Sequence, residues 1–214
     1  MGVVVDFRVL ELLCGRLCHD LISPVGAVNN GIELLDEDDP EFVKEAMALI
    51  GQSAKKAGQR LQFYRFAYGT AGTGASGAAT VDARECAMAL LEGGKVRCEW
   101  DASVSRLPLP WQRLACNLVL VAADALPRGG KIAVTAAAGA PPSLEIVAEG
   151  DSVNLSDEQR AALAATPSVT ADTLSARNVH AFYTNRLAEQ IGAVLAVAES
   201  VPGRAVLTAA SSSI

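Results

Sequence analysis

Leu17-Cys18-His19-Asp20-Leu21-Ile22-Ser23-Pro24 decides how this chain is read, because it sets one of only two histidines beside a carboxylate within a long helical pattern. Apolar residues recur at Leu10, Leu13, Leu17, Leu21, Val25, Val28, Ile32 and Leu35, steps of three and four that predict one buried face of an α-helix. His19 lies two residues from both Leu17 and Leu21. At about 100° per residue, its ring therefore points roughly 160–200° away from that face, toward solvent. The residues sharing its face are Gly15, Ser23 and Ala27, with Gly26 close by, and all are small. A shaved surface around an imidazole lets a partner bring a reactive group within bonding distance. The pattern suits a nucleophilic or phospho-accepting histidine, with Asp20 biasing the tautomer or accepting a proton. A solvated surface histidine leaves the same local signature.

Composition narrows the classes. With 214 residues, half of them hydrophobic, the chain can build one large or two small domains around a sizeable core. The balance of 18 Lys and Arg against 24 Asp and Glu gives a net charge of -6, and no basic run is long enough to neutralise several phosphates, so nucleic acid is not expected as a partner. The five cysteines Cys14, Cys18, Cys86, Cys98 and Cys116 are odd in number, scattered and set in apolar stretches, as reduced packing thiols of a cytoplasmic protein would be. Cys14 and Cys18 lie about one helical turn apart and precede His19, but His19 does not share the face of Cys18 and no second ligand pair has zinc spacing. No metal site is expected. Asp6, Arg8 and Glu11 interrupt the first apolar run and no uncharged stretch reaches the ~20 residues of a membrane span. Asp6 also occupies the position at which myristoylation prefers Ser or Thr.

The first helix runs into the acidic stretch Asp36-Glu37-Asp38-Asp39, and Pro40 suits the first turn of a second helix capped by Asp39. Phe42, Ala46, Leu49, Ser53, Ala57, Leu61, Tyr64 and Tyr68 form its stripe. Two helices cannot enclose both stripes, so the hairpin is expected to pack against a second copy as a four-helix bundle in a homodimer. Pro24 removes the amide that would bond the Asp20 carbonyl, which predicts a bend beside His19. Residues 71–79, within the uncharged run Thr70 to Thr80, read as a linker between a helical domain (1–70) and a second domain (80–214). Beyond it the pattern predicts a helix over Val81–Leu91, a strand Val96–Trp100, and a helix from after Pro108 to Leu126. Arg128-Gly129-Gly130 then turns the chain into a strand Lys131–Thr135. Strands Leu144–Ala148, Val194–Glu199 and Ala205–Ala209 and a helix Val179–Ile191 follow, and the tail Ser211-Ser212-Ser213 is expected to fray. The fold class is α+β: a helical hairpin followed by an α/β sandwich with helices on one sheet face.

Taken with these elements, His19-Asp20-Leu21 with Pro24 resembles the H-box of two-component histidine kinases. Leu114-Ala115-Cys116-Asn117-Leu118-Val119-Leu120-Val121-Ala122 is similar to the N-box of their ATPase domain, and Pro127 to Val134 resembles the Pro-x-Gly-Gly-x-Ile-x-Val that follows it. Leu187 to Ala193 and Pro202-Gly203-Arg204 fit the final helix and hairpin. The departures are grouped. Val121 stands where the kinases hold magnesium with an asparagine, and valine offers no oxygen. Glu149-Gly150-Asp151-Ser152-Val153 loses both glycines of the adenine-reading Asp-x-Gly-x-Gly, and Ala176-Arg177-Asn178-Val179-His180 replaces the second glycine-rich loop. A kinase-like hairpin joined to a degenerate ATPase-like domain that cannot bind ATP resembles the dimeric histidine phosphotransferases of the ChpT family. Leu17 to Ala27 with Asn29-Asn30-Gly31 carries that resemblance.

The resemblance implies a phosphotransferase of a two-component phosphorelay. Phospho-His19 would carry the phosphoryl group between response-regulator receiver domains, those of a hybrid kinase and of downstream regulators. It implies no intrinsic cofactor, with Mg brought by the receiver, and a catalytic pair His19 and Asp20. The receiver-binding face would comprise Gly15, Arg16, Ser23, Gly26, Ala27 and Asn30 together with nearby surface of the second domain. Small residues at this spacing mark close helix packing equally well. Arg16 has the reach to pair with Asp20 or with the phosphoryl group, or to stand as a solvated charge. His180 lacks a companion acid and reads as structural, and Trp100 and Trp111 as core or interface residues. The rival readings are an ATP-dependent histidine kinase and a non-catalytic adaptor for receivers. Labelled ATP alone is expected to leave the chain unmodified, whereas self-labelling on His19 would identify a kinase.

Overall fold

Residues 7–36, 39–69, 82–137, 141–166, 168–198 and 201–211 are described in the computed structural model of the chain. The expected linker 71–79 lies outside them, as do Asp6, Ser212 and Ser213, whereas Ser211, expected to fray, ends the last strand paired with Ala193. Two long antiparallel helices come first: α1 (Phe7–Glu33) and α2 (Pro40–Ala67). Asp39 caps α2 by accepting the Glu41 amide at 2.9 Å, with Pro40 in the first turn, as its sequence predicts. Near the connection the helices approach closely at Gly31, where a Cβ would sit 2.6 Å from Ile50 Cγ1 and 3.3 Å from the Ala46 carbonyl oxygen.

The hairpin buries less of its stripe than the periodicity suggests. Leu10, Val25 and Ile32 are exposed and Leu13, Leu17, Leu21, Val28 and Leu35 half-buried, while Phe42, Leu49 and Leu61 of α2 are exposed as well. The last turns of α2 pack into the second half, yet along the rest of the hairpin each helix keeps an apolar flank with nothing against it in a single chain. Cys14 and Cys18 are exposed for the same reason, so they are not the packing thiols expected of them, whereas Cys86, Cys98 and Cys116 are buried. No helix among the described residues is long and apolar enough to cross a membrane.

α1 remains one helix through Pro24, which is itself buried. The missing amide leaves the Asp20 carbonyl without its helical donor, and the Arg60 guanidinium of α2 donates to it instead. Pro24 thus fastens the backbone just after His19 to the second helix.

The second half starts at α3 (Ala83–Leu91), capped by Asp82, which accepts the Arg84 and Glu85 amides at 2.7 and 3.3 Å. Strand β1 (Val96–Trp100), helix α4 (Leu109–Asp124), strands β2 (Gly130–Ala137) and β3 (Ser143–Glu149), helices α5 (Asp157–Leu163) and α6 (Val179–Gln190), and strands β4 (Ala193–Ala198) and β5 (Arg204–Ser211) follow. They form a five-stranded sheet of order β1-β2-β3-β5-β4, with β1 parallel to β2 and the other pairs antiparallel. Register puts Trp100, Val134, Ile146 and Leu207 in one row, all buried beneath the helices. Glu99, Lys131, Glu149 and Arg204 face the other way and pair across strands, Lys131 with Glu99 at 2.8 Å and Arg204 with Glu149 at 3.1 Å. This is the expected one-sided sandwich. The turn into β2 requires glycine: Gly130 has φ +151°, and a Cβ there would collide with the Glu149 carbonyl oxygen. The unforeseen element is α5, although Ser156 and Gln159 form a reciprocal capping box that marks its start.

The two halves share one hydrophobic interior. Phe63, Tyr64, Phe66 and Ala67, the last turns of α2, are buried in the same cluster as Ala83 of α3 and Trp111, Leu114 and Leu118 of α4. Arg60→Ala is expected to cost about 1–3 kcal/mol by leaving the part-buried Asp20 carbonyl unpaired. Adding Pro24→Ala, which returns a helical amide to that carbonyl, should recover most of the loss in urea unfolding.

Candidate functional site

His19 stands on the outer face of α1 with its side chain 88% exposed. The helical angle read from the sequence therefore survives folding. Its Nδ1 lies 3.3 Å from Asp20 Oδ1, and the other oxygen of that carboxylate accepts a hydrogen bond from the Tyr64 hydroxyl of α2. An ionised carboxylate only accepts, so a neutral His19 ring presents Nδ1–H to Asp20 and leaves the Nε2 lone pair facing outward. Burial, then the bond to Asp20, push the Tyr64 phenol well above its ordinary range, which keeps it a donor.

One turn before Asp20, Arg16 reaches across to the second half and meets Asp124, at the end of α4, at 2.5 Å. It pairs neither with Asp20 nor with solvent. The two side chains are 13% and 32% exposed. Burial opposes the charge of Arg16, but attraction to Asp124 outweighs it and the guanidinium is held more firmly protonated. For Asp124 burial prevails over Arg16, and its carboxyl lies above the usual range. This ion pair forms the floor of a cleft of about 790 Å3 between α1 and the second half. His19, Asp20, Gly15 and Arg16 line one side, and Asn154, Gln159 and Arg177 the other.

Behind the cleft, Tyr68 stacks on Tyr64 with ring centres 5.7 Å apart and bonds His180 Nδ1 through its hydroxyl at 2.7 Å. His180 Nε2 lies 3.0 Å from the Asn117 backbone oxygen. A carbonyl can only accept, so Nε2 carries the proton and Nδ1 accepts from Tyr68. Burial, reinforced by Arg16, pushes the His180 ring down to about 3, so it is neutral. The structural reading of His180 holds, and Trp100 and Trp111 are core residues.

Of the face expected around His19, Gly15 and Arg16 line the cleft, while Ser23, Gly26, Ala27 and Asn30 lie further along α1 outside it. Gly15 and Gly26 are not packing glycines, since a Cβ at either would meet nothing within 4 Å; Gly31 alone of the α1 glycines has that role. In the segment that the sequence likens to an N-box, the Asn117 amide donates to the Ala67 and Arg113 carbonyls at 3.1 and 2.9 Å, and Val121 is buried. Gly150 donates its amide to the Gly203 carbonyl at 3.0 Å, and a Cβ on it would lie 2.6 Å from the Gly129 oxygen. Among the described residues no group of three or more His, Cys, Asp or Glu side chains is arranged to hold a metal ion. Sequence reasoning missed Tyr64, Tyr68, Arg60 and Asp124. The tyrosines read as stripe members, although a phenol in an apolar stripe carries a polar end that needs a partner.

Residues 80–201 match the family model of the histidine phosphotransferase C-terminal domain. The chain is 36% identical over 202 residues to protein phosphotransferase ChpT of Brucella abortus (strain 2308), covering 92% of this chain and 94% of that one. A solved structure of a bacterial phosphotransferase superimposes with a TM-score of 0.74 at 32% identity, covering 97% of this chain and 98% of the other.

The neutral burial of His180 has a pH signature. Its native pKa lies below the ~6.5 of the unfolded chain, so unfolding takes up a proton between about pH 3 and 6.5. The stability it contributes is complete above about pH 6.5 and is lost as pH falls, by up to about 1.4 kcal/mol per unit. Unfolding midpoints measured from pH 7.5 to 5 should fall less steeply in His180→Gln than in the wild type.

Proposed function

Because the chain belongs to the ChpT-type histidine phosphotransferase family, we propose that His19 is the residue through which it passes a phosphoryl group in a phosphorelay, taking it from the aspartyl phosphate of one receiver domain and yielding it to the aspartate of another. The observation that carries this reading is the 88% exposed imidazole whose Nδ1 faces a tethered carboxylate. Nε2 attacks phosphorus in line. The N–P bond forms as the P–O bond to the receiver's aspartate breaks, and the aspartate leaves as a carboxylate. The ring, still bearing its Nδ1 proton, takes on positive charge that Asp20 balances. The same charge makes the imidazole a ready leaving group when a second receiver's aspartate attacks. A loose transition state of this kind needs positioning more than covalent help, which suits a site built from two side chains and an open approach.

Docking follows the small face of α1. Gly15 and Gly26 have no packing partner and each costs a helix interior about 1 kcal/mol relative to alanine, which a closely approaching receiver would explain. Ser23, Ala27 and Asn30 extend that face, and Arg16 contributes by holding the cleft wall through Asp124. The division of labour places phosphotransfer in residues 1–70 and receiver contact in both that hairpin and the degenerate ATPase-like part, 80–214. ATP plays no part in the proposed reaction. In support, the Asn117 amide is spent on the end of α2, Val121 is buried, and Gly150 is closed against Gly129 and Gly203. The exposed Leu10, Val25, Ile32, Phe42, Leu49 and Leu61 are the surface a second copy would cover in a four-helix homodimer. Such a relay works in the cytoplasm, where receivers reside.

Incubation with a phosphorylated receiver domain is expected to label the wild-type chain and to leave His19→Ala unlabelled and unable to pass phosphate on. Asp20→Ala should be labelled more slowly while keeping its fold. An unaltered phosphate flow through His19→Ala, with receivers still bound, would reduce the protein to an adaptor.

A further inference from the structure

The geometry points to Tyr64 as a positioning residue for phosphoryl transfer: its hydroxyl holds one oxygen of Asp20 so that the other faces His19 Nδ1, which fixes the ring as the Nδ1–H tautomer with Nε2 bare. This rests on the reading of His19 as the phosphoryl carrier and extends it by naming the group that orients the acid. A helix-surface aspartate beside solvent otherwise turns freely about its last torsion, since a terminal carboxylate has broad, roughly two-fold preferences. Asp20 is held at its far oxygen by Tyr64.

Tyr64 is well placed to be rigid. It is 6% exposed, packs edge-on against Phe63 with centres 5.8 Å apart, and stacks on Tyr68 at 5.7 Å and 25°. Tyr68 is in turn fixed by its bond to His180. The phenol cannot swing away from α1 without disturbing the core at the end of α2. Its pKa is raised by burial, so it stays a donor at every pH at which the relay would operate. Asp20 must therefore offer its remaining oxygen to His19 as an acceptor, and an acceptor draws the proton to Nδ1. Without the hydroxyl, the carboxylate rotates toward water and the ring loses its bias. The Nε2–H form that then accumulates has no lone pair at the outward nitrogen.

The test uses the full chain with 15N-labelled histidine, read by NMR at about pH 8, where an ordinary imidazole is neutral. His19→Ala assigns the His19 signal. Wild type is expected to show His19 chiefly as Nδ1–H, and Tyr64→Phe, which keeps the ring and its stacking, to shift it toward Nε2–H. Labelling of His19 by a phosphorylated receiver should slow about tenfold in Tyr64→Phe, with receiver affinity unchanged. A purely structural tyrosine would move neither the tautomer nor the rate in the phenylalanine variant, and that result overturns the assignment. So does a wild-type His19 that is mainly Nε2–H, for which no variant need fold. Phosphate flow persisting through His19→Ala would instead remove the phosphotransfer reading, an outcome separate from either.

Discussion

The hydrogen bond from Tyr68 to His180 is the contact on which the rest of the molecule's arrangement turns. It joins the last turn of the helical hairpin to a helix of the sheet-bearing half, inside a shared core, and its geometry admits one pair of protonation states. A neutral histidine in a fully buried place is costly to charge, so this hydrogen bond is polar without carrying charge, and it fixes where the end of α2 meets α6. Tyr64 lies one turn earlier on the same helix. On the neighbouring helix, Asp20 is held by Tyr64 at its carboxylate and by Arg60 at its carbonyl, and Asp20 in turn meets His19.

A side chain exposed on a helix is usually mobile along with its neighbours. Here the backbone beneath it is restrained at two levels. Pro24 frees the Asp20 carbonyl, and Arg60 takes it, converting a helix defect into a bond between helices. Arg16 ties the turn before His19 to α4 through Asp124, in surroundings dry enough to strengthen the attraction. The imidazole can stay open to solvent because the order around it comes from the chain below it.

In the second half, the segment around Asn117 is engaged by the rest of the chain. The Asn117 amide bonds the end of α2, Val121 is buried, and glycine contacts tie Gly150 to Gly129 and Gly203. Buried polar groups need partners or are costly, and the hairpin supplies one for the Asn117 amide nitrogen, whereas its Oδ1 has none among the described residues.

How much of this could be read from the residues follows from the range of each signal. The two long helices, the five strands within a residue or two, the Asp39 cap, the Gly129-Gly130 turn and the outward angle of His19 were legible, because periodicity, capping and turn chemistry are set by neighbours a few positions away. The helix α5 was overlooked although its capping box lies in plain local spacing. The partners of the site were out of reach. Tyr64 meets Asp20 across 44 positions, Arg16 meets Asp124 across 108, and Tyr68 meets His180 across 112. In a linear pattern those tyrosines are two more apolar steps and Arg16 one more surface charge. Only the packing of α2 into the sandwich brings them together, since a hydrogen bond depends on ångström-scale placement that residue spacing does not encode. Residue spacing within α1 was enough to turn the His19 ring outward beside Asp20, because a helix repeats every few residues; what holds Asp20 in place arose only when α2 packed against α1 and the second half.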